Sequence, residues 1–299
     1  VIKEGADDAQ ELWLDVNETP FLLETEPYAM FFGAWLYVKD GVALCVTGMG
    51  KVNSAMTLQA ILMDDRFDFS NAYIISTGCA GSAIEYGVMG DVFVITATID
   101  FDLGHHADAR DLTTDLATTW FHDESYDDAS AKLLNQELCE KVFNLVKDVQ
   151  IETTEKTRAF MAATFDNADW AIRDPKVLRG TTVTADNYWK GMHDHANALL
   201  MTETYGCPDP YALTEMEDHA MAVVLDRLGM LDRYIIIRDS VNTDVFMNGA
   251  SPESLWDPNF VDSLASESSV ESADIFATAM KNNFTVGHVV IDAILNGEL

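Results

Sequence analysis

The sequence is short of basic residues, and that shortage excludes several classes of partner. Its 299 residues include 18 Lys and Arg against 50 Asp and Glu, which gives a formal net charge of −32. Charge of this sign repels nucleic acid backbones and anionic lipid surfaces, so neither is an expected partner. The acidity suits an ordinary soluble surface, and it also suits a protein kept soluble at high salt, where self-repulsion is screened.

Cysteine pairs and long apolar runs are also missing. The four cysteines stand singly, without CxxC spacing, which excludes structural zinc: Cys45, Cys79, Cys139 and Cys207. Cys45 and Cys79 lie in apolar strand-like runs and are predicted to behave as small buried hydrophobes. No uninterrupted apolar run approaches the roughly 20 residues of a membrane-spanning helix, so no transmembrane segment is predicted. The chain starts at Val1 without Met or a signal-peptide pattern, which predicts a processed or trimmed N-terminus.

What the sequence does contain is a series of apolar runs of strand length, separated by helical patterns. Strands are predicted at residues 41–48, 71–78, 90–99, 177–185 and 232–241, the fourth being the weakest. Helices are predicted at residues 51–65, 136–149 after the cap Asn135, 211–229 after Pro210, and 272–295. Near-continuous apolar strands between helices indicate a mostly parallel sheet covered on both faces.

The segment at residues 112–176 is polar, rich in Asp and Thr, and has little strand character. It still carries Trp120, Phe121, Phe143 and Trp170, which a plain linker would not. We interpret it as a long excursion from the sheet, such as a lid, inserted near residues 112–176. A single domain over residues 1–299 is predicted.

Two turns rich in small residues follow predicted strands. Gly48 and Gly50 in "TGMGKVNSA" stand where a strand passes into a helix, and Ala80 and Gly81 in "STGCAGS" follow the next strand. Missing Cβ atoms let backbone N–H groups approach an anion or a sugar. Either turn alone is weak evidence, because the dinucleotide and P-loop fingerprints are both absent. Together, at the carboxyl ends of parallel strands, they would open into one crevice.

These segments carry a family resemblance. The nucleoside phosphorylase and nucleosidase superfamily has three landmark segments, which resemble "VTGMGKVNSAMTLQAIL", "IISTGCAGSAIEYGVMGD" and "LTEMEDHAMAVVL". Within it, the purine nucleoside permease family is similar at "DDRFDFSNAYIISTGCAG", "DFDLGHHADARDL", "ADNYWKG" and "IIIRDSVNTD". The resemblance runs from about residue 11 to residue 295. It implies a three-layer α/β/α fold with a mixed, mostly parallel twisted sheet, and a purine nucleoside as the ligand.

The resemblance implies a ribose site at the EME motif. Glu217 would accept hydrogen bonds from two sugar hydroxyls at once, and Met216 would lie against the ring. The backbone at Ala80 and Gly81 would lie against the ribose and the base. The alternative for Glu217 is a solvated helix face, since acidic residues crowd around it.

Base recognition is implied at two places. After the strand at 177–185 the superfamily supplies an aromatic side chain that stacks on the base, here Tyr188 or Trp189, beside Asn187. Core packing explains the Tyr-Trp pair at least as well. At the end of the strand at 232–241, related proteins place an Asp or Asn that hydrogen-bonds purine N7. Asn242 fills that position, with Asp239 and Asp244 as alternatives.

The chemistry of an N-glycosidic bond defines what cleavage would need. Charge develops on both the sugar and the leaving purine, so a proton or hydrogen-bond donor at N7 stabilises the leaving group. Asn242 can donate a hydrogen bond but cannot deliver a proton. Asp239, Asp244 or solvent would have to act as the acid, or cleavage would be slow.

Water is the expected nucleophile. Phosphorylases of the superfamily hold phosphate with several arginines, one of them just before the second Gly-rich turn, where this chain has Ser76 and Thr77. Arg238 is the one well-placed cation and would help to hold water. Hydrolysis is therefore favoured over phosphorolysis. Binding without turnover, in support of nucleoside uptake by a membrane transporter, is the other alternative.

The start of the chain raises a further expectation. The superfamily begins with a central strand whose following loop supplies an acidic residue, and this chain is expected to begin after that strand. Glu4 or Glu11 would fill the acidic role. The resemblance implies a periplasmic or secreted protein, but location and homo-oligomerisation stay open.

A divalent metal site is the alternative interpretation of "DFDLGHHADARD". Carboxylates and imidazoles are competent ligands, and the candidates are Asp100, Asp102, His105, His106 and Asp108. Adjacent histidines in a strand or turn point apart, so no metal is predicted. No cofactor is expected either. Phosphate is the one possible co-substrate, and it would be needed only for phosphorolysis.

Overall fold

A computed structural model describes residues 2–3, 28–30, 34–113, 118–155, 157–158, 161, 173–246 and 270–299. The strands in these residues are β1 (Ile2–Lys3), β2 (Tyr28–Ala29), β3 (Trp35–Lys39), β4 (Val42–Val46), β5 (Ile74–Ser82), β6 (Val92–Asp100), β7 (His105–His106), β8 (Trp120–Phe121), β9 (Ala131–Leu133), β10 (Val177–Thr184), β11 (Tyr211–Glu215) and β12 (Tyr234–Thr243). The helices are α1 (Lys51–Leu62), α2 (Asp127–Ser130), α3 (Gln136–Val146), α4 (Met192–Thr204), α5 (Asp218–Arg227) and α6 (Val270–Leu295).

One large mixed sheet organises the protein. Its order is β11-β10-β6-β12-β5-β1-β4-β3-β2, with β9 beside β6, while β7 and β8 pair separately. The longest pairings, β12 with β5 and β10 with β6, are parallel. Antiparallel pairs include β3 with β4 and β9 with β6. Another antiparallel pair, β12 with β6, lies within the sheet, so β6 and β10 run opposite to β5 and β12. The parallel strands β5 and β12 end side by side.

Helices cover both faces of the sheet because successive strand residues face opposite sides. Ile74 and Ile236 belong to a buried cluster with α1 and α5. Their neighbours Ile75 and Ile237 belong to a second cluster with α3 and α6. Both faces of the inner strands are thus apolar, which explains their near-continuous hydrophobic sequences. The predicted three-layer α/β/α arrangement is confirmed.

Most predicted elements are confirmed, but the helix predicted over residues 211–229 is wrong in its first part. Residues Tyr211–Glu215 form strand β11, which pairs with β10 and with β5, and α5 begins only at Asp218. Pairing and burial between two strands outweigh the helical pattern that continues from the following residues. The predicted end of the helix is confirmed, because α5 stops just before Gly229, whose φ of 68° suits glycine.

The expectation that the chain begins after the central strand is also wrong. Ile2 and Lys3 form β1, which lies parallel between β4 and β5. A strand of two residues is too short to show any hydrophobic periodicity, so the sequence could not reveal it. Glu4 and Glu11 lie outside the described residues.

Part of the segment at 112–176 belongs to the layered core. Ala131–Leu133 pairs with β6, and α3 packs on the sheet, with Asn135 capping it as predicted through a bond from Leu138 N–H to Oδ1. The remainder of the predicted excursion stays a prediction, and Trp170 lies outside the described residues. None of the helices in the described residues is long and apolar enough to cross a membrane.

Candidate functional site

A cavity of about 220 Å³ lies at the carboxyl ends of β5, β11 and β12. Ligands bind near the carboxyl ends of strands in open α/β sheets, and a mostly apolar lining with a few polar groups is typical of small-molecule sites. Eight residues that the sequence predicted for the site line this cavity: Ala80, Gly81, Asn187, Tyr188, Trp189, Met216, Glu217 and Asn242. The tertiary structure thus brings together four segments that are far apart in the chain.

Six further lining residues were not predicted: Met49, Cys79, Thr214, Glu215, Val241 and Thr243. Thr214 and Glu215 were missed because residues 211–215 were predicted to start a helix, and the sequence there shows no alternation that would indicate a strand. Met49 lies between the two glycines that were predicted. Cys79 was expected to be a buried hydrophobe, but it is partly exposed at the cavity; burial of its thiol raises its pKa to about 12.

A β-bulge in β12 lies where three consecutive residues line the cavity. Ala80 and Gly81 of β5 pair with β12 residues that are two positions apart, which leaves Val241 without a partner on β5. Successive side chains of a regular strand would face opposite sides. The bulge changes their direction, as bulges near binding sites do, so that Val241, Asn242 and Thr243 all line the cavity.

Asp239 is fully buried and lies outside the cavity lining. Its Oδ1 accepts a hydrogen bond of 2.8 Å from Nδ2 of Asn283 on α6. The same Nδ2 also lies 3.2 Å from the carbonyl oxygen of Ile237. These contacts direct Asp239 to the helical layer, away from the cavity.

Asp244 is likewise buried outside the cavity lining. Its Oδ2 accepts a 2.8 Å hydrogen bond from the Tyr211 hydroxyl and lies 2.6 Å from Nδ1 of His195. Nε2 of His195 is 2.9 Å from Glu85. Burial by itself lowers the pKa of His195, but the hydrogen bonds and charges of Asp244 and Glu85 raise it above its ordinary value. This network ties α4 to the end of β12.

The Glu217 carboxylate stands at the cavity and is held from the protein side. Its Oε1 accepts a 2.8 Å hydrogen bond from the N–H of Gly50, and its Oε2 accepts one of 3.2 Å from the N–H of Met216. The residue is 4% exposed and precedes α5, so the alternative of a solvated helix face is wrong. Each carboxylate oxygen has further acceptor capacity for a ligand hydroxyl.

Arg238 is fully buried among three carboxylates. Its Nη2 lies 2.8 Å from Asp218, 3.2 Å from Glu215 and 3.5 Å from Glu217. Burial raises the pKa of Glu215 to about 7, and the charge of Asp218 adds to this effect. Nη1 donates to the carbonyl oxygen of Cys79 at 3.1 Å, so the guanidinium is engaged by protein groups and lies among negative charges.

The first backbone amides of α1 are also taken by carboxylates. Gly50 donates to Glu217, and the N–H of Lys51 donates to Oδ1 of Asp186 at 2.7 Å. A helix N-terminus attracts anions, and here two side-chain anions already occupy it. A phosphate dianion would meet like charge at this position.

The residues predicted on the nucleophile side are not in the cavity lining. Ser76 donates a 2.7 Å hydrogen bond to Asp218, and Thr77 donates to Oδ1 of Asn283. Both are buried. Gly48, with a φ of 82°, forms the turn ahead of α1.

The two aromatic candidates have different surroundings. Trp189 is 5% exposed and stacks on Phe101, with ring centroids 5.0 Å apart. Tyr188 is 60% exposed and accepts a 3.0 Å hydrogen bond from Nδ2 of Asn242. Trp189 therefore belongs to the core as well as to the cavity wall, whereas Tyr188 stands at the cavity mouth.

The five residues of the metal alternative do not converge. The Nζ atom of Lys51 lies 2.8 Å from both Asp100 and Asp102. The other three have local partners: Asp123 for His105, the Phe101 carbonyl for His106, and Arg110 for Asp108. Within the described ranges, no group of three or more His, Cys, Asp or Glu could hold a metal ion.

The sequence matches the profile of one protein family, described as purine nucleoside permease (NUP), over residues 7–298. A probable purine nucleoside permease of Schizosaccharomyces pombe is 27% identical over 224 residues, covering 66% of this chain and 63% of that protein. A purine nucleoside permease of Candida albicans is 24% identical over 212 residues, covering 64% of this chain and 52% of that protein. The chain thus spans between about half and two thirds of the length of these curated relatives.

Solved structures share the fold at low sequence identity. A 5'-methylthioadenosine/S-adenosylhomocysteine nucleosidase from Neisseria meningitidis, in complex with methylthio-immucillin-A, has a TM-score of 0.59 at 16% identity, covering 98% of this chain and 97% of that chain. A futalosine hydrolase mutant of Helicobacter pylori has a TM-score of 0.56 at 14% identity, with 97% of each chain covered. The predicted fold class is confirmed.

Proposed function

The chain belongs to the purine nucleoside permease family, and on that premise we propose that it binds purine nucleosides in the cavity at the carboxyl ends of β5, β11 and β12. The main support is the Glu217 carboxylate, which the amides of Gly50 and Met216 fix beside a mostly apolar cavity. A ribose needs an acceptor for vicinal hydroxyls, and a purine needs an apolar slot with few polar groups. Met216, Ala80 and Gly81 supply that slot in the proposal.

We further propose that the bound nucleoside is hydrolysed at its N-glycosidic bond rather than phosphorolysed. The amides that open α1 and the guanidinium of Arg238 are both engaged by carboxylates, so phosphate has no prepared site among the described cavity residues. An uncharged nucleoside avoids the repulsion that phosphate would meet.

The proposed hydrolysis is slow. Asn242 lines the cavity where purine N7 would lie, and an amide cannot deliver a proton. Asp239 and Asp244, the acidic alternatives, are buried outside the lining. Glu215 lines the cavity, but its oxygens already accept bonds from Thr182, Thr184 and two backbone amides.

Binding without turnover is the second candidate function. The observation that favours it is that Glu215, the cavity-lining acid besides Glu217 among the described residues, has its oxygens engaged by Thr182, Thr184 and two backbone amides. In that case the protein would hold a nucleoside for a membrane transporter. The transporter partner and a homo-oligomer both stay predictions.

The purified protein incubated with adenosine or inosine, with and without phosphate, tests these proposals. Base release that does not depend on phosphate supports hydrolysis, and release that requires phosphate contradicts it. Tight binding by calorimetry without release supports the second candidate. No binding of any purine nucleoside would refute the proposal as a whole.

Glu217→Gln tests the ribose contact. It removes the charge that strengthens hydrogen bonds to the sugar, so nucleoside binding should weaken about 10- to 100-fold, while binding of the free base changes little. Glu203→Gln, at an exposed position on α4, is the matched control. Equal losses for nucleoside and free base would argue against a ribose contact.

A further inference from the structure

We propose that Tyr188 is a positioning residue, which holds the carboxamide of Asn242 in the orientation that meets the purine base. The inference rests on the proposed nucleoside function and deepens it. It assigns to the phenol hydroxyl the role that sequence reasoning gave to the aromatic ring. Two contacts on opposite sides of the carboxamide carry it.

The first contact is the hydrogen bond between the two side chains. Nδ2 of Asn242 donates to the Tyr188 hydroxyl at 3.0 Å. Tyr188 belongs to the turn after β10, whereas Asn242 belongs to β12, so the bond joins two separate walls of the cavity. It lies at the mouth, since Tyr188 is 60% exposed.

The second contact is with the bare backbone of Gly81. A Cβ atom built on Gly81 would lie 2.6 Å from Oδ1 of Asn242, closer than real Cβ contacts come. Only a residue without a side chain lets the carboxamide lie against β5 at this point. The absent Cβ and the Tyr188 hydroxyl together bracket the amide.

These two contacts would fix the orientation of the Asn242 carboxamide before a ligand binds. The terminal torsion of Asn is broad, so an unsupported carboxamide samples many orientations of its donor and acceptor. Holding it in one plane before the ligand arrives removes that entropy cost from binding. The remaining amide N–H and Oδ1 have no protein partner within the described residues, so these atoms would meet the base.

A ring-stacking role for Tyr188 accounts for less of this geometry. The stacked aromatic at this turn is Trp189, which lies on Phe101 at an interplanar angle of 19°. Stacking on a base would need only the ring of Tyr188. It would not explain why the hydroxyl accepts a hydrogen bond from Asn242. The two roles predict opposite behaviour of Tyr188→Phe, which keeps the ring and removes the hydroxyl.

Calorimetric titration of the full chain with adenosine and with 7-deazaadenosine, which lacks the N7 acceptor, tests the proposal. Tyr188→Phe should weaken adenosine binding about 5- to 10-fold, the effect of one lost hydrogen bond. 7-Deazaadenosine should itself bind the wild type more weakly, and the same substitution should change its affinity less than about 2-fold. Tyr73→Phe, in a cluster on the helical face, is the matched control.

A second variant isolates the link to Asn242. In the Asn242→Ala background, Tyr188→Phe should cause no further loss of adenosine binding, because the hydroxyl has no amide left to hold. The thermal midpoint of each variant shows whether it is folded. Tyr188→Phe should fold like wild type, because Tyr188 is 60% exposed.

Three results would overturn the inference. Tyr188→Phe that binds adenosine like wild type, with Tyr188→Leu weakened, would show that the ring acts by stacking. Equal weakening for adenosine and 7-deazaadenosine would show that the hydroxyl acts elsewhere than on N7. Wild type that binds no purine nucleoside would remove the proposed function and this inference together, which distinguishes that failure from the first two.

Discussion

At the scale of single residues, the chemistry of the site depends on what each polar side chain already holds. Glu217 keeps acceptor capacity toward the cavity, whereas Arg238 donates to protein carboxylates and to the Cys79 carbonyl. Asn242 presents an amide to the cavity, and in the proposal it stands where an acid would speed departure of the base. In the proposal, these three side chains therefore support nucleoside binding but give little help to bond cleavage.

Asn242→Asp should raise the rate of base release from adenosine by about 10-fold or more, since general acids contribute at least that factor. The physical reason is that a carboxylic acid can deliver a proton to N7 and an amide cannot. Adenine release measured from pH 5 to 8 checks this, with the gain largest on the acidic side. Asn187→Asp, which makes the same change elsewhere on the cavity wall, is the control.

If both Asp variants behave like wild type, N7 does not lie at Asn242. A gain from Asn187→Asp alone would move the N7 position to the turn after β10. Either result would leave the ribose contact at Glu217 untouched.

Glu215 links stability to pH. Its pKa is about 7 in the folded protein against 4.5 for an ordinary Glu, because burial and Asp218 disfavour its charge. Between these two values the folded state holds a proton that the unfolded chain has released. The contribution of Glu215 to stability is therefore present at low pH and lost as pH rises through about 7.

Glu215→Gln should remove that pH dependence. The glutamine oxygen can accept from the Glu217 and Asp218 amides, and its NH₂ group can donate to the Thr182 and Thr184 hydroxyls, so the fold is preserved. Urea unfolding at pH 5, 6, 7 and 8 should show wild type losing stability relative to the variant as pH rises. Parallel curves for the two proteins would contradict this account.

At the scale of elements, three polar residues of β12 have different surroundings: Arg238 lies by α5, Asp239 by α6 and Asn242 at the cavity. Alternation along a strand points Arg238 toward α5 and Asp239 toward α6. The bulge at Val241 then interrupts the alternation and turns Asn242 into the cavity. The sequence "RDSVNTD" showed the residue types, but a one-residue irregularity decided which of them line the cavity.

Asn283 of α6 should be important for stability and not for binding. Asn283→Ala removes the donor to Asp239 and the acceptor for Thr77, which leaves buried polar groups unpaired. Unfolding free energy should fall by about 2–4 kcal/mol, as for other buried polar contacts. Asn296→Ala, at an exposed position after the same helix, is the control for denaturant titration.

The affinity of folded Asn283→Ala for adenosine should stay within about 2-fold of wild type, because Asn283 does not line the cavity. A variant that folds normally and loses affinity would mean that α6 acts on the site through Asp239. That outcome would return Asp239 to the catalytic candidates.

At the scale of the whole molecule, the net charge of −32 works against the compact state. Like charges on the surface repel, and salt screens that repulsion over about 10 Å at ~0.1 M. The thermal midpoint should therefore rise by several degrees as KCl is increased from low to molar concentration. A midpoint that stays flat or falls with salt would show that opposite charges are already paired well enough to cancel the repulsion.

The same charge bears on the ligand. The chain is acidic, and the Arg238 guanidinium is already surrounded by carboxylates. A neutral nucleoside is therefore favoured over a nucleotide, because each phosphate would add repulsion. We expect adenosine to bind at least about 5-fold more tightly than its 5'-monophosphate, because one close pair of like charges costs about 1 kcal/mol or more. Competition between the two ligands measures it at low and high salt, and equal affinities would contradict the enclosed-cation argument.

The sequence alone determined the layers, the inner strands and most of the residues at the cavity. Apolar runs and helical periodicity are local, so Ile74, Ile236 and the glycine turns could be interpreted without coordinates. Only the tertiary structure decided that residues 211–215 form a strand, that Ile2 and Lys3 fill the sheet centre, and that Asp239 and Asp244 face away from the cavity. Those outcomes depend on pairing between distant segments and on one bulge, which leave no periodic trace in the chain.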